Sequence, residues 1–242
     1  VRLTPMAVPK ASDVLASELR ERILSGEFAE DTPLPPERDL VSQTQMSRTT
    51  VREALRILEV QGLVRIKAGR AGGTFVQRPS QDSVATSISL LIRGRQLRLA
   101  DLLETREAIE PFCARLAAQN RTEEDLAVLD AANEAIATDD DLTSFLQANV
   151  DWHVGVAAAS HNELLTAFMS ALSRAIYTAT ENEAFVDAEV RNLTAKAHKS
   201  ITNAIREGDP DAAVRRMNRH VHSYAKAVLE VEERERIEVD DE

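Results

Sequence analysis

The apolar positions of the first 80 residues follow two rhythms. Over residues 12–25, Val14, Leu15, Leu19 and Ile23 recur at helical spacing, with Ser12 as a candidate cap and Gly26 as a terminator. The segment EDTPLPPERDL comes next. Its three prolines predict a turn and then a short helix beginning near Pro36, because a proline fits a first helical turn whose N–H has no partner. Ser47 then stands where an N-cap belongs, and Val51, Ala54, Leu55 and Leu58 form a narrow stripe closed by Gly62. The rhythm now changes. Val64 and Ile66 alternate with Arg65 and Lys67, a turn carrying Gly69, Gly72 and Gly73 follows, and Thr74–Val76 completes a β-hairpin. Three helices and a hairpin within this span predict a winged helix-turn-helix.

After a polar stretch at 79–82, read as a linker, the pattern is helical almost to the end. Helices are expected over about 83–95, 98–119, 122–137, 140–159, 161–183, 185–207 and 209–235. Their breaks fall at Gly94, at 120–122, at TDDD (138–141), at 160–162 and at 208–210, where Asp209 caps and Pro210 enters the first turn. The expected fold is therefore mainly α: a winged helix-turn-helix over residues 1–78, an all-α helical bundle over 83–236, and a charged tail at 237–242.

Composition sharpens this picture. A chain of 242 residues can bury a core without staples, and its single cysteine, Cys113, excludes an internal disulfide and zinc sites built on cysteine pairs. Cys113 sits in the apolar string FCARLAA and is expected in the core. There is no apolar run long enough for a membrane span, and the first ten residues lack the apolar core of a signal peptide, so a cytoplasmic protein is expected. The net charge of −11 hides an asymmetry: residues 1–80 hold 12 Lys/Arg against 10 Asp/Glu, a net of +2, and the remainder is −13. Residues 48–78 alone are +5. A basic element on an acidic body points to a nucleic-acid partner for that element only.

Spacing says how the basic element would act. Arg48, Arg52 and Arg56 are four apart and share one helix face opposite the apolar stripe, with Thr49 and Thr50 in the first turn. A recognition helix presents such residues to base edges, where arginine pairs with guanine or clamps phosphate. Arg65, Lys67 and Arg70 line the hairpin, whose glycines let backbone approach DNA closely.

The string LPPERDLVSQTQMSRTTVREALRILEVQGLVRIKAGRAGGTFV, within residues 12–78, resembles the GntR-family DNA-binding domain. The resemblance implies a bacterial transcription regulator that contacts double-stranded DNA through Arg38, Arg48, Thr49, Thr50, Arg52 and the wing residue Gly69. Pro36 departs from the serine usual in the family.

Five histidines stand in the C-terminal half. His153 follows Asn149 by four residues and shares its helix face, His222 points away from His220, and His161 falls in an expected exposed turn. Isolated histidines in helices are more often structural than ligating. The half as a whole, however, resembles the FCD effector domain of FadR-type GntR regulators. The matching residues are Arg106 and Glu110 in TREAIEP, Asn149 and His153 in NVDWH, and His198 and His220, which lie 22 apart around the Gly-Asp-Pro turn. The resemblance implies a divalent transition metal, zinc first and nickel, copper or iron as alternatives, held by Asn149, His153, His198 and His220. Asn149 replaces the family's usual Asp. Three neutral imidazoles and an amide would then leave the metal's charge uncancelled and favour a small carboxylate effector, gripped also by Arg106. The bland alternative for Arg106 is an ion pair with Glu110 or Glu107. The chain also resembles the lactate-utilisation regulators of this family, which puts L-lactate first among effectors. Residue spacing shows no nucleophile or general base, so no enzyme is expected, and the resemblance implies a homodimeric repressor on an imperfect palindromic operator. The rival readings are a metal-dependent hydrolase fused to a DNA-binding module and an architectural DNA-binding dimer without a sensor.

Overall fold

The computed structural model describes residues 8–69, 72–79, 81–138, 141–180, 186–231 and 237. Its contacts divide the chain into two units, residues 1–83 and 84–242.

The first unit contains α1 (Ala11–Leu24), α2 (Glu37–Thr44), α3 (Arg48–Val60), β1 (Val64–Lys67) and β2 (Gly73–Val76). Leu15, Leu19 and Ile23 of α1, Leu40 of α2 and Val51, Ala54, Leu55 and Leu58 of α3 meet in one apolar core with Leu63, Val64 and Val76. Ser12 does not cap α1. The helix starts one residue earlier, after Lys10, and Ser12 is buried within its first turn. Ser47 does cap α3, its Oγ accepting the Thr50 N–H at 3.1 Å. The α2–α3 turn is made by Gln45, which ends α2 in the left-handed region at φ 57°.

β1 and β2 pair antiparallel, Val64 opposite Val76 and Lys67 opposite Gly73. The proline-rich segment before α2 also joins this hairpin. The N–H groups of Asp31 and Leu34 donate to the carbonyls of Val76 and Thr74, and Pro33 bridges Phe75. Prolines hide such a bridge from pattern reading, yet they are tolerated at a sheet edge, where one side of the backbone needs no partner. At the wing tip Gly69 takes φ 100°, and a Cβ on Gly72 would lie 2.4 Å from the Lys67 carbonyl oxygen. The turn thus requires glycine at both positions. Arg70 lies outside the described residues.

The second unit is helical: α4 (Gln81–Arg95, its first turn at the unit boundary), α5 (Leu99–Asn120), α6 (Glu123–Thr138), α7 (Leu142–Ala158), α8 (Glu163–Thr180), α9 (Ala188–Glu207) and α10 (Pro210–Val231). Two expectations are corrected at the start of this unit. The 79–82 linker gives way to helix at Gln81, because polar residues suit a first helical turn as well as a linker. Gly94 does not break α4, which runs on to Arg95, and the left-handed residue is Gln96 at φ 49°. Later boundaries follow local chemistry. Asp141 caps α7 through the Ser144 N–H, and Asp187 caps α9 through that of Val190. Gly208 ends α9 at φ 67°, and Asp209 Oδ1 accepts the Ala212 N–H to start α10. His161 makes the α7–α8 turn at φ 54°.

The core of this unit centres on α5, with α7, α9 and α10 packed around it. Cys113 is buried there, and burial pushes its thiol up to about 12. Ile237, expected in the charged tail, is buried in the same core and donates its N–H to the Leu97 carbonyl. An apolar side chain with a place to bury outweighs the charge of its neighbours in sequence. The remainder of the tail and Asp139–Asp140 of the TDDD break lie outside the described residues. Among the described residues, no helix is long and apolar enough to cross a membrane.

Candidate functional site

In the first unit the apolar stripe of α3 faces the core and leaves Arg48, Thr49, Arg52 and Arg56 exposed on the opposite side. The residues expected to contact DNA are not equivalent. The Thr50 hydroxyl is 2.8 Å from Ser47 Oγ and belongs to the cap. Arg52 Nε donates to Glu37 Oε2 of α2 at 2.8 Å, and Arg38 pairs with its neighbour Asp39 at 3.1 Å. Both pairs are largely exposed, so either arginine exchanges its partner for a phosphate at small cost. In the wing, the Arg65 guanidinium and Lys67 ammonium lie 5.8 and 5.4 Å from the centroid of the Phe75 ring, which supports two cations beside the Gly69 turn. Glu59 accepts the Ile66 N–H at 3.0 Å and ties α3 to β1. Neither Phe75 nor Glu59 was marked by sequence spacing, because each acts through a partner remote in sequence.

In the second unit, α7, α9 and α10 bring His153, His198 and His220 together. One ring nitrogen from each lies within 4.8 Å of the others, and Nε2 of His198 is 3.0 Å from Nε2 of His220. Burial holds all three below the ordinary histidine range, His220 down to about 3, so the imidazoles are neutral near pH 7. Three neutral imidazoles with converging nitrogens suit a borderline transition metal. His198 Nδ1 is buried and has no hydrogen-bond partner among the described residues. His198 stacks flat on Trp152, with ring centroids 3.7 Å apart, and Trp152 Nε1 donates to Thr202 Oγ1 at 3.0 Å. The chain's single tryptophan is thus a wall of the cluster.

The buried ion pair Arg106–Glu110 of α5 completes the site. Arg106 Nε donates to Glu110 Oε1 at 2.5 Å, and the other carboxylate oxygen lies 2.5 Å from His153 Nδ1. Arg106 Nη2 donates to His153 Nε2 at 3.1 Å, and the guanidinium sits over the Tyr224 ring. Despite its burial, Glu110 is held well below the usual carboxylate range by Arg106 and His153. Glu110 brings a carboxylate beside the cluster, offset by Arg106. Pairing with Glu110 was the bland reading of Arg106, and it is observed, but the guanidinium edge also faces the cavity. Arg106, Asn149, His153, His220 and Tyr224 line one cavity of about 20 Å³, room for about one water molecule.

The remaining polar candidates lie elsewhere. His222 is exposed and pairs with Glu107 at 2.9 Å, and His161 pairs with Asp125 at 2.8 Å. Asp151 is exposed and accepts from Gln147.

Two family models match the chain. Residues 11–76 match the bacterial regulatory proteins of the gntR family, and residues 101–223 match the FCD domain. The chain is a GntR-family regulator with an FCD domain. It is 32% identical over 230 residues to the HTH-type transcriptional repressor NanR of Klebsiella aerogenes, covering 93% of this chain and 88% of that protein. The NanR of Cronobacter sakazakii is also 32% identical, over 229 residues, covering 90% of this chain and 85% of the relative. Among solved structures, Streptococcus agalactiae GntR matches with a TM-score of 0.65 at 25% identity, covering 89% of this chain and 99% of that one. Both NanR relatives are named as transcriptional repressors, and this GntR-family regulator carries a winged-helix unit followed by a helical FCD domain.

Proposed function

We propose that this regulator is a homodimeric repressor whose DNA-binding domain, residues 1–78, is controlled by a metal-held carboxylate effector in the domain spanning 83–236. The relatives of similar length are named repressors, which supports the sign of regulation. A two-fold dimer suits an imperfect palindromic operator read by Arg48, Thr49 and Arg52, with Arg38, Thr50 and the Gly69 turn positioning the backbone.

The observation that carries the reading is the shared cavity of His153, His220, Asn149 and Arg106. His153, His198 and His220 would hold the metal, zinc first, with the Asn149 amide oxygen available as a fourth, neutral donor. When bound, the metal offers a 2-hydroxy acid chelation through its carboxylate and hydroxyl oxygens. The Arg106 guanidinium supplies a second grip on the carboxylate. L-lactate is the first candidate. A cavity sized for one water must widen to admit even this acid. An effector that favours the widened arrangement shifts the population of FCD conformers, which is how it can alter operator affinity.

Titration calorimetry of the zinc-loaded chain with lactate, pyruvate, malate and citrate tests this. Binding is expected for at least one acid, lost in Arg106→Ala and weakened by chelation. If no acid binds, or chelation has no effect, the metal-held carboxylate is wrong and the DNA-binding regulator stands.

A further inference from the structure

Glu110 has no role in the reading above, yet it is among the most deeply buried charged side chains of the second unit. Its two carboxylate oxygens divide their work: Oε1 accepts from Arg106 Nε, and Oε2 lies 2.5 Å from His153 Nδ1. On the far edge of the same imidazole, Arg106 Nη2 lies 3.1 Å from Nε2. A guanidinium has donors only, so Nε2 must be the accepting nitrogen. The ring proton is then on Nδ1, the edge that the Glu110 carboxylate approaches to 2.5 Å. Arg106 demands this tautomer, the carboxylate charge beside Nδ1 favours it, and it leaves the Nε2 lone pair free for a metal shared with His198 and His220.

We propose that Glu110 is a positioning residue, which fixes His153 in the Nδ1–H tautomer for metal binding through Nε2 and anchors Arg106 beside it. The inference rests on the proposed three-histidine metal site. A carboxylate behind a ligating imidazole raises its basicity and fixes its orientation, and losing such a partner lowers metal affinity by about 10–100-fold. A metal on Nε2 and the Arg106 Nη2 bond use the same lone pair. A bound metal would therefore displace the Arg106 Nη2 donor from His153, and Glu110 would keep its hold on Arg106 Nε.

The test uses the full chain. Long-range 1H–15N spectra of the chelator-treated wild type should show His153 protonated on Nδ1, its signal assigned by loss in His153→Gln. Zinc affinity, measured against a chromophoric chelator, should fall about 10–100-fold in Glu110→Gln, with Arg106→Gln/Glu110→Gln as the variant that leaves no unpaired buried guanidinium. An Nε2–H tautomer, or unchanged zinc affinity in folded variants, overturns the proposal while zinc binding by the wild type keeps the metal site. Failure of the wild type to bind zinc overturns the site and the proposal together. If both variants fail to fold, the wild-type tautomer decides.

Discussion

The two units of this regulator keep their polar chemistry in opposite places. Among the described residues, the winged helix buries one polar side chain, Ser12, whereas the FCD unit buries Arg106, Glu110, Asn149, His153, Ser160, Thr178, His198 and Thr202. The first works through its surface. Its core can be wholly apolar, and its arginines stay solvated until they meet DNA. The second, on the function proposed above, works through its interior, where charge is costly: a buried ion pair rarely stabilises more than the apolar residues that could replace it. The Arg106–Glu110 pair therefore points to a function in the core, whereas the exposed Arg52–Glu37 pair implies nothing of the kind.

The largest test of this contrast is metal. Zinc at about 100 times its dissociation constant should stabilise a chain that binds it only when folded by about 2.7 kcal/mol, and the gain belongs to the FCD unit. His198→Ala should lose metal and stabilisation, and His222→Ala, whose imidazole faces Glu107 at the surface, should lose neither. Elemental analysis with thermal unfolding reads both. Full occupancy in the His198 variant would remove the interior site.

The second test addresses the surface. Arg48→Ala or Arg52→Ala should weaken operator binding by about 1–3 kcal/mol if the side chain reads a base, with metal content unchanged. Gel-shift titrations that leave both variants within twofold of wild type would show that α3 is not the recognition helix.

The two units were also unequally legible. In the winged helix, Ser47, the α3 stripe and the glycine turn are local signals, and each determined the structure beside it. The bridge from the Asp31–Leu34 segment to β2 was hidden because its pairing is remote in sequence and its prolines read as a turn. In the FCD unit, helical periodicity placed all seven helices to within a few residues. The convergence of His153, His198 and His220 came from family resemblance, since spacing alone cannot say which faces of three helices meet. The role of Glu110 was invisible for the same reason. Its neighbour in sequence, Arg106, was read as an effector ligand, and only the packing of α5 against α7 brings its carboxylate to His153.

The third test is acid. His198 and His220 titrate below their unfolded value near 6.5. Between that value and the folded one, the unfolded chain binds more protons, so stability is present above about pH 6.5 and is lost as pH falls. Each such histidine contributes a slope of at most about 1.4 kcal/mol per pH unit. Glu110, held low when folded, adds a loss of the same sign once pH falls below the ordinary carboxylate range. All five histidines lie in the FCD unit. Unfolding of the chelator-treated chain at pH 7.5 and 5.5 should therefore show the FCD transition destabilised and the winged-helix transition nearly unmoved. Equal shifts in both would mean that the buried histidines are not the cause.

The smallest expected effect isolates the winged helix. Ser47 accepts the Thr50 N–H and lies 2.8 Å from the Thr50 hydroxyl, while its own backbone carbonyl accepts the Val51 N–H. Ser47→Ala removes the side-chain cap and keeps the backbone bond, so the cost should be about 1 kcal/mol. Val51, Ala54, Leu55 and Leu58 are buried beyond the first turn and should hold the helix axis in place, leaving the loss local to Arg48, Thr49 and Thr50. Those residues carry the expected DNA contacts, and fraying there must be reversed on binding. Operator affinity should drop by no more than the same 1 kcal/mol, with zinc affinity unchanged. Ser47→Asp restores the cap and adds a negative charge at the helix N-terminus, favourable to the helix dipole and unfavourable to phosphate. Its stability should return to wild type while its operator affinity stays low. If Ser47→Asp recovers both, the first turn of α3 does not face the DNA backbone, and the surface half of the comparison fails at that point.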